Sequence, residues 1–292
     1  MKQVLAITDS YRWATYFRAI NLKKNLKNYN FHIVSFHDII KVGYEIDFNK
    51  FDIVYILNWP IYGYVKHKIL KNRKYKLVTG ISSHIGRPDA KEMRPFFSKF
   101  ESIGVSNKFL YREFKRAKIK GVVYTPFGVN HNLFKKTTNP NDYRHIFGWV
   151  GSKERSVKRY REIKRAFAKL GSKYKLKTVD NKSKYSREKM VKFYNSIGTL
   201  ICYSESEGTP NPVLEAAMCG RAIISSNVGN VPQLMTNVSG FEPVSSFESL
   251  VCAIKKHGDK VDLDKFGSKI EGLALKDWTW EIRSKNFIKL LE

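Results

Sequence analysis

SESEGTPNPVLEAAMCG, Ser204 to Gly220, lies between two short apolar runs, TLICYS (residues 199–204) and AIISS (residues 222–226). A short apolar run, a Gly/Pro-rich loop, an apolar-faced segment and a second apolar run read as strand, loop, helix and strand of a parallel sheet. Asn211 and Pro212 suit the N-cap and the first turn of that helix, and Gly220 suits its end. On this reading the loop sits at the carboxyl end of a strand. The helix-start amides of Val213 and Leu214 would then stand open to a phosphate or a hydroxyl. Glu207 falls in the loop and Glu215 one turn into the helix, so two carboxylates flank whatever lies over the turn. A capping box would need its acid at Leu214, one residue earlier. Complementing the helix dipole is the plain alternative for Glu215, worth about 0.3–1 kcal/mol.

The same alternation runs outward in both directions. QVLAIT, FHIVSF, FDIVYIL, KLVTGI, SIGVS and GVVYTPFG read as strands, with WATYFRAINLKKNL and NKFLYREFKRAKIK as helices between them. A polar stretch with little periodicity, NHNLFKKTTNPNDYRH, follows and reads as a linker. The pattern then restarts with IFGWVG, KLKTVD, TLICYS and AIISS as strands. SVKRYREIKRAFAKLG reads as a helix with Val157, Tyr160, Ile163, Phe167 and Leu170 on its apolar face and Gly171 at its stop. DWTWEIRSKNFIKLLE reads as a closing amphipathic helix. The expected fold class is therefore α/β, two Rossmann-like domains facing a cleft. The expected bounds are 1–128 for the first domain, 129–145 for the linker, 146–275 for the second domain and 276–292 for the closing helix. Ligands of such sheets bind outside the carboxyl ends of the strands.

The chain has 292 residues, 42% of them hydrophobic and 14% aromatic, which suffices for two cores and argues against disorder. No run approaches the roughly 18 apolar residues of a membrane span. The cysteines Cys202, Cys219 and Cys252 are odd in number and widely spaced. They make neither a zinc pattern nor a disulfide framework, which points to a reducing, cytoplasmic setting. Net charge is +27, and it is concentrated: residues 51–200 carry 35 basic and 10 acidic side chains, whereas residues 201–292 carry 10 and 12. A field of that kind suits a polyanionic partner, either nucleic acid or an anionic membrane surface, or a phosphorylated substrate.

The segment SESEGTPNPVLEAAMCGRAIISSNVGNVPQLM resembles the nucleotide-sugar signature of retaining glycosyltransferases of the two-Rossmann GT-B fold, family 4 type (glycosyl transferases group 1). Its marks are a Glu, seven residues, a second Glu, a small-residue helix, Cys-Gly and a Val-Gly-x-Val-Pro turn. VVYTPFGVNHNLF is similar to the family's interdomain strand and linker, GWVGSKERSVKRYREI to its phosphate-binding turn, and WTWE to its closing helix. The second half and the linker are covered well, and the first half matches in pattern only.

The resemblance implies a metal-independent, retaining hexosyltransferase with no cofactor, for which the nucleotide-sugar, a UDP-sugar above all, is a substrate. It implies that Glu215 accepts the donor's ribose hydroxyls and that Glu207 holds the transferred sugar. Gly151, Gly208, Thr209, Pro210 and Asn211, with Val213 and Leu214, would line the donor. An Arg and a Lys after the first strand of the second domain would stabilise the leaving diphosphate; here Arg155 and Lys158 are the candidates. His84, at a strand end of the first domain, falls where the family often places a His near the sugar.

The departures are specific. The first strand turn, TDSYRWA, lacks glycine and leaves Asp9, Ser10 and Arg12 as positional candidates. Phe127 and Asn130 stand where the linker's usual Asn and Asp are expected, and Gln233 where an acid follows Val-Pro. VDLD, with Asp262 and Asp264, matches an Asp-x-Asp metal motif formally but reads as a charged surface loop. GWVGSKERS lacks the spacing of a P-loop.

For the acceptor, the basic and aromatic stretches favour DNA, a hydroxymethylated base that would have to be flipped from the duplex. An acceptor at an anionic membrane surface, lipid-linked or part of the cell envelope, is the rival. A non-catalytic nucleic-acid-binding protein on a transferase scaffold is the third reading. No obligate protein partner is implied.

Overall fold

In the computed structural model the chain is described except for residues 12–13, 72, 84–88 and 184 and the side chain of Asn181. Among the described residues, ten strands fall on the ten apolar runs. They are β1 Lys2–Thr8, β2 Tyr29–Ser35, β3 Ile53–Ile56, β4 Lys76–Ile81, β5 Ser102–Val105, β6 Val122–Tyr124, β7 Ile146–Gly151, β8 Lys175–Asp180, β9 Thr199–Cys202 and β10 Ala222–Ser225. They form two all-parallel sheets, ordered β2-β1-β3-β4-β5-β6 and β10-β9-β7-β8. The chain divides accordingly into Met1–Phe127 with Trp280–Glu292, and Gly128–Thr279.

The inner strands are covered on both faces, which is why β3, β4, β5, β9 and β10 read as continuous apolar runs, whereas the edge strand β8 alternates and is largely unburied. In the first unit Leu5 and Ile7 of β1 pack with Val54, Ile56 and Leu77 on one face. Val4 and Ala6 pack with Tyr55 and Val78 on the other. That second face is closed by Trp280, Phe287, Leu290 and Leu291 from the end of the chain.

The C-terminal segment therefore belongs to the first unit from Trp280 onward, not from residue 276. It is also not one helix: Trp280–Arg283 is helical, Ser284–Phe287 a 3₁₀ turn and Ile288–Leu291 helical again. Phe127 stacks on Trp280 at 6.5 Å and lies 4.5 Å from the buried Arg18 guanidinium, so it is a packing residue of the first core.

The polar stretch 129–145 is not a free linker either. Val129 and Phe134 are buried in the core of the second unit with Tyr194 and Trp278. The Asn195 amide oxygen accepts from the Thr137 N–H at 2.8 Å. Arg221, fully buried, donates to the carbonyls of Thr138 at 2.6 Å, Cys219 at 2.7 Å and Ile197 at 3.1 Å. Composition hid this, because the stretch is held by side chains reaching its backbone and shows no periodicity of its own. The VDLD stretch differs as well. Asp262 is the N-cap of the helix Leu263–Asp277 and accepts the N–H groups of Asp264 and Lys265, so the two acids mark a helix start and not a loop.

Topology sets where function can sit. In the second sheet β8 lies on one side of β7 and β9 on the other. The connections after β7 and β9 therefore leave in opposite directions and open a crevice between the two carboxyl ends. β1, between β2 and β3, is the equivalent point of the first sheet.

His257, buried on the helix Phe247–Asp259, has its Nδ1 3.3 Å from Thr199 Oγ1 and its ring against Phe266. Burial, and then Lys256, push its pKa down from 6.5 to about 4. The unfolded chain takes up this proton near 6.5 and the folded chain only near 4, so the stability is full above the unfolded value and is lost as pH falls through that window. The loss is about 3 kcal/mol. Glu215 and Glu271, whose pKa values are raised chiefly by burial, act in the opposite sense nearer the ordinary carboxylate range. Denaturant titrations from pH 7.5 to 4 should therefore show a slope that flattens in His257→Gln. An unchanged slope in that variant would contradict the assignment.

Candidate active site

The carboxyl ends of β7 and β9 carry the residues at issue. After Gly151 the chain makes a 3₁₀ turn, Ser156–Lys158, and only then enters the helix Tyr160–Leu170. Val157 and Lys158, expected on the first turn of a longer helix, thus sit in the connection itself. The break is at Arg159, which adopts a left-handed conformation with φ 48°. A residue with a side chain is held there at some cost, and Arg159 has partners that hold it. Its Nε is 3.1 Å from Glu205 Oε1 and its guanidinium lies 5.1 Å from the Tyr203 ring centroid.

Those contacts tie the β7 connection to the β9 connection. The Glu205 N–H donates to the Val157 carbonyl at 2.9 Å. Lys158 Nζ donates to Glu207 Oε1 at 2.6 Å, with the two side chains 16% and 12% exposed. Ser204 Oγ donates to the same carboxylate oxygen at 2.7 Å. The Lys158–Glu207 pair is mostly withdrawn from water, where an ion pair is stronger than on an open surface.

The loop after β10 supports this arrangement from the other side. Ser226 Oγ donates to the Ser204 carbonyl at 2.5 Å, and Asn230 Nδ2 donates to Thr209 Oγ1 at 2.8 Å. Gly229 has φ +54°, and a Cβ there would meet the Gly208 carbonyl oxygen at 2.6 Å. Only glycine allows the two loops to approach this closely.

The helix of the opening motif begins one residue earlier than its sequence suggests: it spans Asn211–Met218, with Pro210 at the N-cap and no side-chain cap. The consequence is a correction to the donor list. The amides of Val213 and Leu214 both donate to the Pro210 carbonyl, at 2.9 and 3.4 Å, and the Asn211 amide donates to Thr209 O at 2.9 Å. These helix-start N–H groups are engaged within the turn instead of standing open, and Val213 and Leu214 contribute buried apolar side chains.

Glu215 lies farther along that helix and is nearly enclosed, its side chain 8% exposed. Oε1 accepts from Arg187 Nη1 at 2.8 Å and Oε2 from the Tyr194 hydroxyl at 2.8 Å. Arg187 and Tyr194 are the first and last residues of the helix Arg187–Tyr194. The Arg187 guanidinium also lies 4.8 Å from the Phe134 ring centroid. Burial raises the Glu215 pKa, while Arg187 and Tyr194 pull it back down. Tyr194 is itself pushed well above its usual value, first by burial and then by Glu215, so it keeps its proton and donates a hydrogen bond to the carboxylate. Cys202, beneath the loop, is pushed up to about 11, mainly by burial, and is a packing thiol and not a nucleophile.

Of the sequence-derived candidates, the fold brings Lys158 and Glu207 together, packs Gly208, Thr209 and Pro210 in the adjoining loop, and leaves Glu215 in a pocket of its own partners. Arg155 is exposed, and among the described residues its side chain has no partner. Its neighbour Arg159 is the arginine that reaches the β9 loop. His84 and Arg12 lie outside the described residues. Asp9, after β1, is held by the Ser10 N–H at 2.8 Å and by the Thr15 hydroxyl. Asn130 caps its own turn by accepting the Asn132 N–H at 3.1 Å. Arg159, Arg187, Tyr194 and Glu205 were missed. The first sits beside Lys158 in a basic run, and nothing in sequence distinguishes the next two from an exposed basic residue and a core aromatic.

Residues 138–256 match the family model for glycosyl transferases group 1. That segment contains Lys158, Glu207, Glu215 and the residues that hold them. Solved structures extend the likeness to the whole chain. Sucrose-phosphate synthase from Thermosynechococcus elongatus superposes with a TM-score of 0.78 at 12% identity, covering 99% of this chain and 98% of its own. HepE from Anabaena, solved in complex with UDP and glucose, gives 0.75 at 11% identity over 99% and 98%. A glycosyltransferase from Rickettsia africae gives 0.74 at 14% identity over 99% and 97%. At these identities the likeness establishes the fold, two Rossmann-like domains of the GT-B class. No curated protein matches the sequence. Among the described residues, no helix is long and apolar enough to cross a membrane.

Neutralising Glu207 strands a half-buried lysine, whereas truncating Arg155 removes no contact. Glu207→Gln should therefore cost about 1–3 kcal/mol in chemical denaturation and Arg155→Ala less than about 0.5 kcal/mol. Equal losses would show that the ion pair is no more important to the loop than an exposed side chain.

Proposed function

We propose that the protein is a glycosyltransferase that moves a sugar from a nucleotide-sugar, a UDP-sugar above all, to a hydroxyl acceptor with retention of configuration. The observation that carries this is the Lys158–Glu207 pair at the β7/β9 switch point, inside the segment that matches the glycosyl transferases group 1 model.

The chemistry follows from the residue types. The bond between the sugar's anomeric carbon and the diphosphate oxygen breaks, and its electron pair leaves with the nucleoside diphosphate. The acceptor oxygen bonds to the same face of that carbon, and the acceptor's proton passes to the departing phosphate oxygen. Lys158 places a cation where negative charge grows on the leaving group, and it supplies the counter-charge itself without a metal ion. In this reading the diphosphate competes with Glu207 for Lys158, and the released carboxylate takes up hydroxyls of the sugar. In this reading the freed carboxylate binds hydroxyls and forms no bond to the anomeric carbon, so the paired-carboxylate logic of glycosidases does not apply. Glu215, with two acceptor oxygens side by side, suits a ribose diol. Gly151 and the Gly208–Asn211 loop border the diphosphate and the sugar. Arg155, exposed on the same connection, is the second cation available to the diphosphate, and His84, outside the described residues, is kept as the sugar-side candidate that the resemblance implies. HepE, of the same fold, was solved with UDP and glucose, which supports the donor class.

The acceptor is assigned from charge. A +25 excess over residues 51–200 favours a polyanion, and a hydroxymethylated base in DNA supplies both the phosphates and the hydroxyl.

Lys158→Ala should lower kcat about 100-fold or more with a smaller change in donor KM, since a charge that forms in the transition state loses its partner. EDTA should leave wild-type turnover intact. UDP release from UDP-glucose, with hydroxymethylated duplex, plain duplex and anionic vesicles compared, assigns the acceptor. Stimulation by the modified duplex alone, with a matching mass gain on the base, supports the reading. Turnover indifferent to DNA removes the DNA acceptor. Arg155→Ala and Lys158→Ala both retaining full rate would refute the leaving-group assignment.

A further inference from the structure

The pocket around Glu215 holds more than the donor reading requires. A carboxylate buried to this degree is poorly solvated and tends to take up a proton, and a protonated carboxyl no longer accepts from two hydroxyls at once. Two side chains from a neighbouring helix oppose this. Arg187 Nη1 meets Oε1 at 2.8 Å and the Tyr194 hydroxyl meets Oε2 at 2.8 Å, so each carboxylate oxygen has one acceptor site filled and one remaining. Tyr194 is fully buried and cannot turn away, whereas the Arg187 side chain is 35% exposed and rests on Phe134.

We infer that Arg187 is a positioning residue for nucleotide recognition. It holds Glu215 ionised and aimed so that the two remaining acceptor sites match the 2′- and 3′-hydroxyls of a ribonucleotide, and the site thereby selects ribo- over 2′-deoxyribonucleotides. The inference rests on the reading of Glu215 as the ribose-binding residue. It goes beyond that reading in naming the side chain that makes Glu215 competent and the selectivity that results. The charged and titratable groups facing Glu215 are Arg187 and Tyr194 from the adjacent helix and Cys219 from the end of its own. Cys219 is pushed up to about 12, chiefly by burial, so Arg187 is the one cation among them and the group whose removal changes the carboxylate's protonation.

The test is calorimetric titration of UDP and 2′-deoxy-UDP into wild type, Arg187→Met and Tyr194→Phe at pH 8 and pH 6. The two ligands carry the same phosphates, so phosphate titration cancels in the ratio of their dissociation constants. Wild type should favour UDP about tenfold or more at both pH values, as for a hydroxyl donating to a charged acceptor. In Arg187→Met the preference should shrink to within about threefold at pH 6 and recover in part at pH 8, because a buried carboxyl without its cation takes up a proton more readily at the lower pH. Tyr194→Phe keeps the cation and should lower the preference without this pH dependence.

A preference in Arg187→Met equal to wild type at both pH values overturns the inference. So does equal loss of both nucleotides, which marks a role in the fold or at the phosphates. Wild type that fails to distinguish UDP from 2′-deoxy-UDP removes the ribose reading of Glu215 itself, and the inference with it. The wild-type arm thus tests the reading, and the variants test Arg187.

Discussion

A lysine and a glutamate 49 residues apart in sequence meet at 2.6 Å over the carboxyl ends of two adjacent strands, and most of the surrounding structure serves to keep them there. The sheet order puts β7 beside β9, so the connections that follow them border one crevice. Arg159 bends the first connection through a left-handed residue and fastens it to the second through Glu205. Ser204 fixes the carboxylate, Ser226 fixes the Ser204 backbone, and Gly229 lets the β10 loop close underneath. A buried ion pair of this sort is a weak device for stability, because desolvation consumes much of its Coulomb energy. It is better suited to a site in which the cation can exchange one anion for another.

Glu215 presents the complementary case. There the carboxylate is enclosed by two donors from another helix, one charged and one neutral. Glu207 is paired to a cation, whereas among the described residues each oxygen of Glu215 accepts one hydrogen bond, from Arg187 and from Tyr194. The two acids of one sequence motif therefore differ in their surroundings, which their spacing does not reveal.

How much of this was legible in the sequence varies with the kind of interaction. The inner strands were readable because parallel strands covered on both faces are short apolar runs between turn residues, and the edge strand β8 was readable by its alternation. The strand order, and with it the meeting of Lys158 and Glu207, came from the structure. What escaped were features made by distant backbone contacts. Residues 129–145 looked like a linker, yet Arg221 and Asn195 hold their backbone inside the second unit. The helix after β7 looked continuous, and the left-handed Arg159 splits it, since nothing in Val-Lys-Arg-Tyr signals a break without glycine. Pro210 shifted the start of the motif helix by one residue and closed the amides that an Asn211 cap would have left open. Arg187 and Tyr194 were invisible as a pair because helix periodicity assigns faces but not the carboxylate waiting on the next helix.

A nucleoside diphosphate bound over the β7 and β9 connections, as proposed, would shield the amides of both. Hydrogen–deuterium exchange with and without UDP tests it most directly. Slowed exchange is expected in peptides spanning residues 152–159 and 203–210 and in the helix Arg187–Tyr194, with the first-unit edge strand Tyr29–Ser35 unchanged. Binding of UDP that leaves those second-unit peptides unprotected, or that protects Tyr29–Ser35 in their place, would contradict it.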